Sequence, residues 1–169
     1  NEKTSQRSSV SSIILGCEEV LNQGLDFLES ISQSDYVAVC TPHMESSIGE
    51  HFRHWLDLFH LLASAEDKVD YNIRRRGHAV ERDIEVAKKE IAMLNKWLCD
   101  ISDACLGAAI QVELETLVSK KAIDEASSTL GRELSFVALH ATHHFAMIKL
   151  AASMQGIKAV SSFGVAPST

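Results

Sequence analysis

The sequence runs to 169 residues, 46% hydrophobic and 23% charged. That is enough apolar material for the core of a single domain spanning 1–169, and too much for a disordered chain. A net charge of −7, with Arg74-Arg75-Arg76 as its only basic cluster, lacks the basic face a nucleic-acid binder needs, and no uninterrupted apolar run nears the ~20 residues that span a bilayer.

The four cysteines, Cys17, Cys40, Cys99 and Cys105, show no CxxC spacing and read as free thiols in a reducing compartment. The polar opening NEKTSQRSS carries no signal-peptide pattern, so a cytoplasmic protein is expected. Residues 1–9 are expected to be frayed. From about Ser11 to Ile31, Ile13, Ile14, Cys17, Val20, Leu21, Leu25 and Leu28 recur three and four apart, which predicts a first amphipathic helix. Ser32–Met44 reads as a connection, briefly extended over 36–39 and stopped by Pro42.

Ser47-Ile-Gly-Glu50 fits a capping box, so a second helix is predicted from there to about Ala65. Its core face is Ile48, Phe52, Trp55, Leu58, Phe59 and Leu62. Its solvent strip is Glu50, Arg53, Asp57, His60 and Ser64. His51 lies within the apolar arc, His54 on its flank, and His60 among the surface residues.

Glu66–Ala79 is charged and irregular. Within it, Tyr71 and Arg74–Arg76 read either as donors for an anionic substrate or a developing oxyanion, or as a solvated loop pairing with Glu81 and Asp83. A third helix is expected over about Val80–Cys105, with Ile84, Ala87, Ile91, Leu94, Leu98 and Ile101 inward and Gly107 ending it. Residues 109–118 alternate in part, which suggests a short strand or hairpin before Asp124, or else an irregular crossover. Ser127-Ser128-Thr129 offer N-caps for the last helix.

That helix, Leu134–Gln155, carries no Pro or Gly until Gly156 closes it. At 100° per residue Ser135, Thr142, Lys149 and Ser153 share one strip, read as the solvent side. His140 and His144 project from the opposite side, one turn apart, beside Val137, Met147 and Ala151. His143 points about 100° away from the pair. A lone histidine on a buried face is usually a satisfied core residue. An i,i+4 pair opposite the solvent strip is half of a metal site. Phe163–Thr169 reads as a coil tail.

Four long helices with one crossover before the last predict an all-α four-helix bundle, a fold that builds metal sites from side chains on facing helices. Either His51 or His54 with His140 and His144 makes three neutral nitrogen donors, and three protein ligands with an open position mark a catalytic site. Imidazole donors suit Zn²⁺, Ni²⁺, Cu²⁺ or Fe²⁺. No HExxH and no GxSxG is present.

Gly49-Glu50-His51-Phe52-Arg53-His54-Trp55-Leu56-Asp57, followed far downstream by His140-Ala-Thr-His143-His144, resembles the DinB/YfiT-like family of metal-dependent enzymes. The resemblance spans essentially the whole chain, and the DYNIRRRG and FGVAPST segments resemble one bacterial branch. It implies a divalent metal ion held by one histidine of the second helix and the HxxxH pair, here His140 and His144. The family's histidine before an apolar-apolar-acidic run matches His54-Trp55-Leu56-Asp57, whereas periodicity alone favours His51. Family likeness also implies hydrolase or thiol-dependent S-transferase chemistry on a small molecule, with a low-molecular-weight thiol as cosubstrate. Both places of the pair are histidine here, where some thiol-dependent relatives have an acid. The expectations for the site are therefore His54, His140 and His144 as ligands, with His51, His143, Tyr71 and Arg75 as further ligands or pocket residues. A homodimer is expected, with no nucleic acid and no membrane as partner.

Overall fold

The computed structural model describes residues 10–169, so the expected fraying of residues 1–9 lies outside the described residues. Helix α1, Ser12–Glu29, starts where expected: the Ser11 hydroxyl accepts from the Ile13 N–H, and the periodic residues Ile14, Cys17, Val20, Leu21 and Leu28 are buried. The segment expected to be briefly extended at 36–39 is instead partly helical, α2, Gln33–Val37. Ser32 and Asp35 form a capping box, and Tyr36, buried, donates its hydroxyl to the Val80 carbonyl.

Helix α3, Ile48–Ser64, opens on the expected Ser47–Glu50 box, with Ser47 Oγ accepting from Glu50 N at 3.1 Å. Its supposed solvent strip needs correction. Arg53 and Asp57 are only 8% and 1% exposed, because the loop after α3 folds back over them. Gly49 explains how close that approach is: a Cβ there would stand 2.0 Å from the Glu81 carbonyl oxygen.

The long third helix is also corrected. A 3-10 turn, Ala79–Glu81, precedes helix α4, Ile84–Cys99, whose N-cap is Asp83 in extended conformation with its carboxylate accepting from Glu85 N. A second 3-10 turn, Asp103–Gly107, follows. Charged residues on the outer face run through these breaks, so they hid them from a periodicity argument.

The chain is mostly helical, but the all-α expectation is overturned by a three-stranded sheet ordered β1-β2-β3. The strand suggested over 109–118 is β2, Ala109–Leu114; its antiparallel partner β3, Asp124–Thr129, starts at Asp124 and takes up Ser127 and Ser128, which were expected as N-caps. Ile110 and Val112 are the buried residues of β2, in keeping with the period of two. Strand β1, Lys68–Asp70, joins β2 in parallel, with Val69 opposite Val112.

Thr129 caps helix α5, Leu130–Met154, which begins one turn before the expected Leu134. Thr142, assigned to the solvent strip, is 8% exposed, because its hydroxyl donates to the Ala138 carbonyl and needs no water. The solvent stripe instead holds Leu139, His143, Ala146 and Leu150. Helix α1 packs against α4 and α5, and α3 packs against the same two, so each long helix has two long neighbours. The tail is not free coil around its aromatic residue: Phe163, 1% exposed, stacks between Phe27 at 4.8 Å and Phe145 at 4.5 Å. Among the described residues no helix is long and apolar enough to cross a membrane.

Candidate metal centre

Helices α3 and α5 face each other, and that contact assembles a histidine cluster. Trp55, Phe52 and Phe145 seal the interior beneath it, with Trp55 edge-on to Phe145 at 5.2 Å. One position before Trp55, His54 is carried to the rim of this aromatic layer. From the other helix come His140 and His144.

His140 Nε2 lies 3.2 Å from His54 Nε2 and 3.1 Å from His144 Nε2. Ligand atoms of the three lie within 4.8 Å of one another. Three nitrogens held ~2.0–2.1 Å from one ion at tetrahedral angles stand about 3.3 Å apart, so the observed spacing already fits a single ion. Burial holds His54 down to about 4, with Arg74, His140 and Arg53 adding to the effect and Asp57 opposing it. Burial likewise pushes His144 down to about 3, reinforced by His54, His140, His51 and His143. His140 is lowered too, by burial, then by His143 and Arg74. At neutral pH all three are therefore uncharged, the form that binds metal.

The remaining expected residues are distributed as follows. His51 sits next to the cluster, its Nδ1 3.1 Å from His144 Nδ1 and its Nε2 2.9 Å from Ser46 Oγ. His143 is exposed, its ring 6.4 Å from that of His140, as its 100° offset implied. His60 is a surface residue, 3.9 Å from Glu90. Arg75 lines neither cleft at the cluster. It bridges Asp57 Oδ1 at 2.5 Å and Glu90 Oε1 at 2.6 Å, tying the loop to α3 and α4. Arg53 completes the network, with Asp57 Oδ2 and Glu81 Oε1 each at 3.0 Å. The expected pairing of the arginine loop with Glu81 and Asp83 is thus replaced by Asp57 and Glu90.

Two clefts reach the cluster. The first, about 490 Å³, ends at His140 and is walled by Leu58, Val112, Phe136, Tyr71 and Arg74. Tyr71, Phe136 and His140 form an aromatic row, at 5.2 and 5.7 Å between successive rings. Among the described residues the buried Tyr71 hydroxyl has no hydrogen-bond partner. Burial raises its pKa above the usual tyrosine range, and the Glu133 charge adds to that, although the Glu133 carboxylate takes its own hydrogen bond from Ser128 Oγ at 2.6 Å. The second cleft, about 540 Å³, reaches His54 and His144 past Ser46, His51, Arg53 and Arg76. The two share no residue.

Sequence reasoning missed Ser46, Phe136 and Glu133. Phe136 was findable, since it lies one turn before His140 on the same helix. Ser46 and Glu133 give no signal without the tertiary fold.

No family model matches the chain, and no solved structure matches it. FK506-binding protein 5 of Rhizopus delemar is 32% identical over 101 residues, which is 60% of this chain. The chain spans 26% of that relative's length.

Proposed function

We propose that the chain is a divalent-metal-binding protein of the DinB/YfiT-like kind, its four long helices forming that family's four-helix bundle, with His54, His140 and His144 as ligands of a zinc, nickel or iron ion. The observation that supports it is the convergence of three uncharged Nε2 atoms, from two facing helices, at the end of a cleft. A bound divalent ion lowers the pKa of a coordinated water or thiol toward neutrality and so supplies a nucleophile. The three imidazoles add no charge, so they leave the ion's full charge to act on whatever fills the remaining position. Phe136, Leu58 and Val112 give the first cleft an apolar side on which the carbon skeleton of a small molecule can rest. Arg74 offers donors toward an oxygen of a bound small molecule, and the Tyr71 ring helps wall the cleft. This supports a metal-dependent hydrolase or a thiol-dependent S-transferase. The FK506 binding in the relative's name belongs to a protein of which this chain covers a quarter, and it is not carried over.

One observation favours a second reading, a metal-binding or structural bundle that works through contacts with a partner or a second copy of itself. Leu139, Leu150 and Met154 are 54%, 49% and 40% exposed along one side of α5. The deciding experiment is elemental analysis of protein purified without chelator and without a histidine-rich tag, wild type beside His140→Ala. About one equivalent of metal in the wild type, lost in the variant, supports the centre. No metal in either removes it.

A further inference from the structure

Four histidines meet at the α3–α5 contact, but their nitrogens do two different jobs. The Nε2 atoms of His54, His140 and His144 face one another. His51 turns neither nitrogen to that point. Its Nδ1 meets the far side of the His144 ring, and its Nε2 meets Ser46. We propose that His51 is a positioning residue which sets the tautomer of His144, and is not itself a ligand; the proposal rests on the three-histidine reading of the centre.

A neutral imidazole carries one proton, so its two nitrogens are one donor and one acceptor. For His144 Nε2 to offer a lone pair, the proton must sit on Nδ1, and a half-buried Nδ1–H needs an acceptor 3.1 Å away. His51 Nδ1 is that acceptor. Accepting there places the His51 proton on Nε2, where Ser46 Oγ receives it at 2.9 Å. Reversing every bond in this chain puts a proton on His144 Nε2 and fills the position an ion would take. The direction of the Ser46–His51–His144 chain and the readiness of His144 to bind metal are thus one variable. Among the described residues neither His54 nor His140 hydrogen-bonds through Nδ1, so His144 alone is held in this way.

Local sequence explains why the pair is in place. The Ser47–Glu50 box fixes the start of α3, which makes Ser46 the residue just outside the cap and His51 the fourth inside it. Those two positions face each other, and in many helices an apolar pair staples them. Here the staple is polar, and its inner member extends to α5.

Zinc affinity measured by competition with a chelator, for wild type, His51→Ala, Ser46→Ala and His51→Gln, tests the idea. Loss of a hydrogen-bond partner behind a ligating histidine costs about 10- to 100-fold in metal affinity, and His51→Ala is expected in that range. Ser46→Ala is expected to lose less. His51→Gln, whose amide oxygen can accept the same proton, recovers part of the loss. The unfolding midpoint of the metal-free protein should be nearly the same in all four, which a merely structural role would not allow. Long-range ¹H–¹⁵N spectra of metal-free protein should place the His144 proton on Nδ1 and the His51 proton on Nε2. Unchanged affinity in His51→Ala, or a proton on His144 Nε2, overturns the inference. So does loss of all metal in His51→Ala while His54→Ala retains it, which would make His51 the ligand. Wild-type protein that takes up no zinc overturns the centre itself, and the spectra still decide the role of His51.

Discussion

Replacing His140 by alanine separates a ligand from a core residue, because the two roles predict opposite stability signatures. The ring is half-buried where it lines the first cleft, and its Nε2 is the one atom within 3.2 Å of both other Nε2 atoms. In metal-free protein its removal opens a site already next to solvent and relieves three crowded nitrogens. The cost should stay below about 1 kcal/mol, well under the 2–5 kcal/mol of a large truncation in a sealed core. In the presence of zinc the wild type gains RT ln(1 + [L]/Kd), about 2.7 kcal/mol at a hundredfold excess over Kd. For a chain of this length each kcal/mol moves the midpoint by about 2–4 °C, so the rise should be about 5–11 °C. The variant keeps two donors and should show almost no rise. Thermal unfolding followed by far-UV circular dichroism, on chelator-stripped protein with and without zinc, reads both quantities. A metal-free midpoint that falls by more than about 6 °C, the fall expected for loss of at least 2 kcal/mol, would make His140 a packing residue. An undiminished zinc response in the variant would refute its place in the centre.

Acid should destabilise the metal-free protein in a defined window. His54 and His144 titrate near 4 and 3 when folded against about 6.5 when unfolded, so between those values the unfolded chain binds more protons and stability falls as pH falls. Urea midpoints should therefore drop steadily from about pH 6.5 toward 4, and a flat profile there would contradict the burial of these rings. Asp57→Asn, which removes the buried charge shared by Arg53 and Arg75, should cost about 3 kcal/mol, the lower end for breaking a buried pair, because Glu81 and Glu90 still hold the two arginines. The same urea titrations should show the lower midpoint at an unchanged slope, and a loss under about 1 kcal/mol would mean that the network is exposed to water.

What could be read in advance was local. The Ser47–Glu50 box, the α1 stripe, the β2 alternation of Ile110 and Val112, and the i,i+4 pair His140/His144 all express themselves within a few residues. The failures share one cause, which is that distant chain decides what a residue faces. Arg53 and Asp57 look solvated from their own helix, and become interior only because Arg75 lies across them. Strand β1 is three residues long, too short for any period, and exists through its pairing with β2. His51 and His54, three residues apart, lean to one side of α3, and periodicity, which weighs only the apolar arc, favours His51. The structure separates them by which nitrogen each presents and to what.

The stack of Phe27, Phe163 and Phe145 also has a consequence in time. Its middle ring is made last. At about 5–20 residues per second, the ~140 residues between Phe27 and Phe163 take about 7–28 s to synthesise. Phe27 waits through that whole interval for the ring that stacks on it, whereas Phe145, made 18 residues before Phe163, waits about 1–4 s. Helix–coil relaxation takes about a microsecond, so synthesis and not helix formation sets how long the stack stays open. The nascent chain's tendency to aggregate should then depend on the segment around Phe163 as well as on the helices it covers.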